Sequence, residues 1–414
     1  MKNIILLIVL AFVLSCNDSS QLAEMKIKED VAYLADDKLE GRQTGTPGET
    51  KASAYIASRF ESIGIQPKGT EGYLQAFSFK PKTDPHKEVE FTTNADSTIT
   101  GHNVIGFLDN KAENTIVIGA HYDHLGFGGE GSLYRGEEKA IHNGADDNAS
   151  GVAVMLNLAS RLKIKNDTAQ VKDNNNYLFM AFSGEEMGLL GSNYFSKNPT
   201  IDGASINYMI NMDMVGKLKA DSTLAIYGTG TSPILKQTLN ANNESFKLVT
   251  NESGVGPSDH TSFYLIDVPV LHFFTGQHED YHKPSDDTEK LNYEGMYYIS
   301  DYIASIIADL NDNGELAFRK TKNESDSAPR FKVGLGVVPD YLFDGKGMRI
   351  DGTREDTPAF RSGLQKGDIV VKLGDSLVTD MMSYMRALSV FDKGDSAEIT
   401  VKRKEEVIDT VVKF

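Results

Sequence analysis

From about Leu22 to Asn311, short apolar and β-branched runs bounded by polar residues or glycine alternate with stretches whose apolar residues recur at helical spacing. The runs Thr115–His121 (TIVIGAH), Tyr177–Ser183 (YLFMAFS), Ile206–Asp213 (INYMINMD), Thr223–Gly228 (TLAIYG) and Val268–Phe274 (VPVLHFF) predict strands. Between the first two lies SGVAVMLNLASRL, where Val152, Met155, Leu156, Ala159 and Leu162 share a helical face. The alternation predicts an α/β domain over residues 22–312, with a mixed, mostly parallel sheet and helices on both faces. Residues 313–329 are polar, carry a proline and lack apolar periodicity, which reads as a linker. The stretch 330–414 ends in alternating patterns, SAEITVKR and EVIDTVVKF, and predicts a small β-rich domain.

The chain starts with a different pattern. MKNIILLIVLAFVLSC joins a lysine to an apolar run of signal-peptide length, too short to span a bilayer comfortably, and ends in a cysteine. VLSC resembles the cleavage motif of bacterial lipoproteins, although Leu14 is not its usual neighbour. Residues 1–15 are expected to be a signal peptide, Cys16 a lipidated membrane anchor and residues 16–21 a tether. That reading places the rest outside the cytoplasm, in the bacterial cell envelope.

Composition narrows the partners. A formal charge of −17 and a pI near 5.0 disfavour a surface that neutralises phosphates, so nucleic acid is excluded as a partner. The one cysteine permits neither an intrachain disulfide nor a thiolate metal site.

Sheets of this kind place ligands beyond the carboxyl ends of their strands, and each predicted strand delivers metal-type donors there. The first ends in HYDHLG, offering His121 and Asp123; the second leads into Glu185 and Glu186; the third ends in Asp213. Two loops add Asp146 and Asp147 in NGADDNASG and His282 in HEDYHKPSDD. Nitrogen and oxygen donors without sulfur suit catalytic zinc. His121, Asp146, Glu186, Asp213 and His282 make five ligands, which suits two ions sharing one carboxylate. A carboxylate such as Asp123 on the far ring nitrogen of a ligand histidine would fix its tautomer.

These motifs, in order with SGEEMGLLGS, NMDMVG, DYHKPSDD and the earlier stretch YLADDKLEGRQTGTPGETKASAYIASRFESIGI, resemble the co-catalytic dizinc aminopeptidases of metallopeptidase family 28 over roughly residues 33–310. The resemblance implies a zinc aminopeptidase-like fold and two Zn2+ per catalytic domain: His121 and Asp213 on one, Glu186 and His282 on the other, Asp146 bridging. It implies Glu185 as general base, Tyr281 as a donor to the developing oxyanion, and peptides with free N-termini as substrates. GPSDHTSFY also resembles the family and is expected to bring Asp259 and His260 near the substrate rim, while His124 is left as a supporting or structural residue. GLGVV and TPAFRSGLQKGDIVVKLGD resemble a PDZ domain, which implies a groove for peptide C-termini.

Three other readings compete. A glutaminyl cyclase shares the fold and much of the ligand pattern but uses one zinc and carries tryptophans near the site; this chain has no Trp and places Tyr281 before His282. A carboxypeptidase would use the same metal core. The third is a noncatalytic, lipid-anchored PDZ binding protein, against which the intact Glu185 and ligand set argue.

Overall fold

The structure is a computed structural model, describing residues 21–414 apart from 82–90, 93–97, 130, 171, 323–332, 341–342, 344, 355 and 405. The expected signal peptide, Cys16 and part of the tether lie outside the described residues. The chain forms two compact units: residues to Ser132 with Lys139–Thr275 and His282–Thr321, and Leu133–Glu138 with Gly276–Tyr281 and Lys322–Phe414.

In the first unit the elements run α1 (residues 21–34), α2 (Pro47–Ile63), β1 (Gln66–Pro67), β2 (Leu74–Phe79), β3 (Ile99–Leu108), β4 (Asn114–His121), α3 (Gly151–Thr168), β5 (Asn175–Phe182), α4 (Leu190–Lys197) and β6 (Ile206–Met212). They continue with β7 (Thr223–Tyr227), α5 (Leu235–Ala241), β8 (Lys247–Thr250), α6 (His260–Tyr264), β9 (Val270–Phe274) and α7 (Tyr293–Leu310). Among the described residues nine strands form one sheet in the order β1-β3-β5-β4-β6-β9-β7-β8, with β2 also pairing β3. β4 runs parallel to β5 and β6, and β6 to β9. The β3 and β7 pairings with β5 and β9 are antiparallel.

The central strands are buried on both faces, which is why they read as continuous apolar runs. Along β5, Tyr177, Phe179 and Ala181 join one core cluster with α1, α2, α3 and α7. The alternate residues Leu178, Met180 and Phe182 join another with Phe195 of α4 and Phe263 of α6. Helices therefore cover both faces. Helix α2 starts at Pro47, with Thr46 accepting the Glu49 N–H, and stops at Gly64, whose φ of 86° lets its N–H reach the Phe60 and Glu61 carbonyls.

Residues 314–321, expected as linker, belong to this unit. The Leu316 N–H donates to Asn207 at 2.7 Å, the Arg319 N–H to the Thr231 carbonyl at 2.7 Å, and Phe318 packs 5.4 Å from Tyr264.

The second unit is β-rich. It contains β10 (Val337–Pro339), β11 (Met348–Thr353), α8 (Pro358–Arg361), β12 (Ile369–Leu373), β13 (Ser376–Leu377), α9 (Met381–Leu388), β14 (Ser396–Arg403) and β15 (Glu406–Lys413). All its strand pairs are antiparallel, in the order β10-β11-β12-β14-β15 with β13 beside β12. Leu335, Ile350, Val370, Ile399 and Val401 form its core, and Arg403 holds the buried Asp368 through two contacts of 2.7 Å.

Candidate metal centre

From β4 the chain steps to β5 on one side and then to β6 on the other, so β4 lies at a topological switch point, where open α/β sheets bind ligands. His121 is the last residue of β4, Glu185 and Glu186 follow β5, and Asp213 follows β6. The turn after β5 fixes the acidic pair. Gly184, at φ 73°, reverses the chain, and the Glu185 N–H then donates to Asp123 Oδ1 at 3.1 Å.

Four pairings define the centre. His121 Nε2 lies 3.4 Å from Asp147 Oδ1 and 3.3 Å from Asp213 Oδ1. His282 Nε2 lies 3.2 Å from Asp147 Oδ2 and 3.3 Å from Glu186 Oε2. Donors about 2.0–2.2 Å from a tetrahedral zinc stand roughly 3.3–3.6 Å from one another, so these spacings match a coordination edge. Asp147 presents one oxygen to each imidazole, giving two three-donor sets that share a carboxylate.

The shared carboxylate is Asp147, where Asp146 was expected. Asp146 turns away: its Oδ1 accepts the Gly216 N–H at 2.6 Å and the Ser150 hydroxyl at 3.0 Å, tying this loop to the segment after β6. The backbone at Asp147 and Asn148 is non-helical, so adjacent side chains leave the loop in different directions. Asp286 fixes that path by accepting the backbone N–H groups of Asp146 and Asp147, each at 3.0 Å. The DYHKPSDD segment thus supplies both a donor and the support of the bridging loop.

Each donor histidine is aimed through its other nitrogen. His121 Nδ1 donates to the Asp123 backbone carbonyl at 3.2 Å and His282 Nδ1 to the Gly131 carbonyl at 2.9 Å, leaving both Nε2 atoms facing the carboxylates. The Asp123 carboxylate is 3.8 Å from His121 Nδ1 and accepts instead from Thr44 Oγ1 and the Glu185 N–H. It therefore joins His121 to Glu185 through the backbone. His124 Nδ1 meets Glu186 Oε1 at 2.7 Å, a hydrogen-bond distance shorter than the coordination-edge spacings, and so holds the oxygen that does not face His282.

The neighbouring glutamates differ electrostatically. Burial pushes Glu185 well above the usual carboxylate range, opposed by His121 and reinforced by Glu186, Asp213 and Asp259. Burial and Asp147 push Glu186 the same way, but the hydrogen bonds from His124 and His282 bring it down to about 2. Glu185 Oε2 stands 4.0 Å from His121 Nε2, beside the donor sets and outside their spacing.

Three supporting groups were not assigned from sequence. Thr44 Oγ1 donates to Asp123 and accepts the Gly184 N–H at 3.0 Å. The buried Glu49 carboxylate accepts the Gly45 and His102 N–H groups and the Tyr122 and Ser183 hydroxyls. Asp286 is the third. GRQTGTPGET carried the signal for the first two, polar residues among turn formers at a helix start. Asp259 and His260, expected near the substrate rim, are fully buried, and His260 stacks on His272 with centroids 4.4 Å apart. Tyr281 belongs to the second unit's residues; its N–H donates to the His278 carbonyl at 3.1 Å.

Residues 103–307 match the family model "Peptidase family M28", and residues 318–414 match the model for a PDZ domain. A probable leucine aminopeptidase of Trichophyton verrucosum is 28% identical over 247 residues, 58% of this chain and 58% of that protein. A zinc aminopeptidase from Bacillus subtilis has a similar fold, with a TM-score of 0.52 at 18% identity over 71% of this chain and 98% of that one. The glutaminyl cyclase of Bacteroides thetaiotaomicron is as similar in fold, with a TM-score of 0.53 at 17% identity over 70% and 97%. At these identities the solved structures establish the fold alone.

Proposed function

Because the chain belongs to peptidase family M28 through residues 103–307 and carries a PDZ domain behind it, we propose that it is a zinc aminopeptidase removing N-terminal residues from peptides. The observation that carries this reading is the Asp147 carboxylate set between two imidazoles, each completed by one further carboxylate. The donor chemistry fits zinc, with imidazole and carboxylate and no thiolate. One ion would be held by His121, Asp147 and Asp213, and the other by His282, Asp147 and Glu186. When bound, zinc supplies Lewis acidity that polarises a carbonyl oxygen and acidifies water.

The chain's own residues do the rest. Glu186, its charge kept by His124 and His282, remains a donor. Glu185, beside the donor sets and outside their spacing, takes a proton from the attacking water and passes it to the leaving amine. Asp123 holds the Glu185 backbone in place. Two complete donor sets and the absence of any Trp favour the peptidase over the cyclase.

The test is hydrolysis of aminoacyl reporters alongside N-blocked peptides, C-terminal substrates and an N-terminal glutamine substrate, before and after chelation and zinc return. Free-amine substrates alone should be cleaved, and only with metal. Glu185→Gln should keep its zinc and lose roughly 10²–10⁴-fold in kcat. Activity that survives complete metal removal, or a fully active Glu185→Gln, refutes the mechanism.

The leader and tail belong to the same proposal. Lipidation of Cys16 would tether the enzyme to a bacterial membrane outside the cytoplasm, which labelled fatty-acid incorporation lost in Cys16→Ser would support. Among the described residues no helix is long and apolar enough to cross a membrane. Binding of free-carboxylate peptides to the full chain, lost when the carboxylate is amidated, would support a ligand groove in the PDZ domain.

A further inference from the structure

Arg42 is a fully buried arginine whose guanidinium, among the described residues, hydrogen-bonds only to neutral carbonyls. Its Nε donates to the Tyr122 carbonyl at 2.7 Å, its Nη1 to the carbonyls of Asn143 (2.6 Å) and Leu34, and its Nη2 to the Gly144 carbonyl at 3.1 Å. Buried arginines ordinarily face a carboxylate because an isolated buried charge is costly. Here burial lowers the group to about 10, and Asp123, Asp147, Asp286 and Glu186 oppose that from a distance.

The identity of the carbonyls is informative. Tyr122 lies between His121 and Asp123, while Asn143 and Gly144 begin the loop that delivers Asp147. These two segments are remote in sequence and share no strand pairing, yet one planar fork holds both. The backbone of the same turn adds to the clamp, since the Arg42 carbonyl accepts the His124 N–H and the Gly41 carbonyl accepts the Gly126 N–H at 3.1 Å. Close approach is needed there: a Cβ on Gly41 would stand 2.5 Å from the His142 carbonyl oxygen and 2.6 Å from that of Gly126.

We propose that Arg42 is a positioning residue that sets the separation of His121 from Asp147 before any ion arrives, so that metal binds a preformed centre. The inference rests on the zinc reading above. A lysine at this position keeps the charge but cannot span carbonyls that diverge around a planar fork. Arg42→Lys therefore separates geometry from electrostatics.

Three measurements on the full chain test this. Zinc titrated against a competing chelator should bind Arg42→Lys roughly 10–100-fold more weakly than the unaltered chain, the range for a lost outer partner of a metal donor. The rise in melting temperature that zinc gives the unaltered chain should shrink in the variant. A merely structural arginine would lower the metal-free melting temperature and leave that rise intact, overturning the proposal. If the variant does not fold, hydrogen exchange on the unaltered chain decides. Amides of residues 122–126 and 143–147 should be protected without metal, and rapid exchange there until zinc is added overturns preorganisation. An unaltered chain that takes up no zinc would refute the functional reading and this inference together; unaltered affinity in a folded Arg42→Lys refutes the inference alone.

Discussion

Replacing Asp147 by Asn tests the shared carboxylate most directly, and Asp146→Asn is its control one residue away. Asp147 gives one oxygen to the His121 side and one to the His282 side, so the amide, with one NH2 and one neutral oxygen, takes one of three protein donors from one set and leaves the other an uncharged donor. Losing an outer partner of a donor typically costs 10–100-fold in affinity. Losing a donor should meet or exceed the upper figure, at least ~100-fold or about 2.8 kcal/mol, for the ion that faces the NH2. Asp146 uses its oxygen on the Gly216 N–H and the Ser150 hydroxyl, and asparagine retains an acceptor there. Asp146→Asn should cost on the order of 1 kcal/mol of stability as a charge-assisted bond becomes neutral, with zinc uptake unchanged. Elemental analysis after dialysis against a weak chelator, with melts taken with and without zinc, separates the cases. Two zinc ions retained by Asp147→Asn and lost by Asp146→Asn would refute the geometric assignment.

His124→Ala should weaken zinc binding by ~10–100-fold while saturating zinc restores full occupancy, because only the support of Glu186 is removed; chelator competition measures it. For Glu49, burial raises the pKa, but hydrogen bonds from His102, Ser183 and Gly45 hold it below 4.5, its ordinary value. A depressed folded pKa adds stability that is complete above 4.5 and lost as pH falls through the folded value. Melting the metal-free chain against pH should therefore show Glu49→Gln below the unaltered chain by a constant gap above that value, narrowing in acid. Phe179→Ala empties a fully buried position between α2 and the sheet and should cost about 3–5 kcal/mol, read as a lower urea midpoint at constant slope.

The central sheet was legible because β4, β5, β6 and β9 are buried on both faces and must be apolar along their whole length. The antiparallel β2 and β3 were not read, since Ile99–Leu108 breaks its apolar run with Gly101, His102, Asn103 and Gly106. The donor types were legible, being strand-end histidines and acids. The choice between Asp146 and Asp147 was not, because it depends on two non-helical residues and on Asp286, far away in sequence. Glu49 shows a different limit. TPGE reads as a local helix-capping pattern, and the reach of its carboxylate to β3 and to the residues just after β4 and β5 exists only once those strands are aligned.

The strand order also bears on when the donor centre is complete. β9 is the last strand of its sheet to be synthesised, yet it lies between β6 and β7, so β7 and β8 have no central neighbour until it arrives. The segment leaving β9 also carries His282. A chain that ends before β9 has neither this interior strand nor the histidine of its second donor set. On the proposed function, completion of the donor centre is thereby tied to closure of the sheet, because the strand that fills the gap between β6 and β7 leads directly to His282.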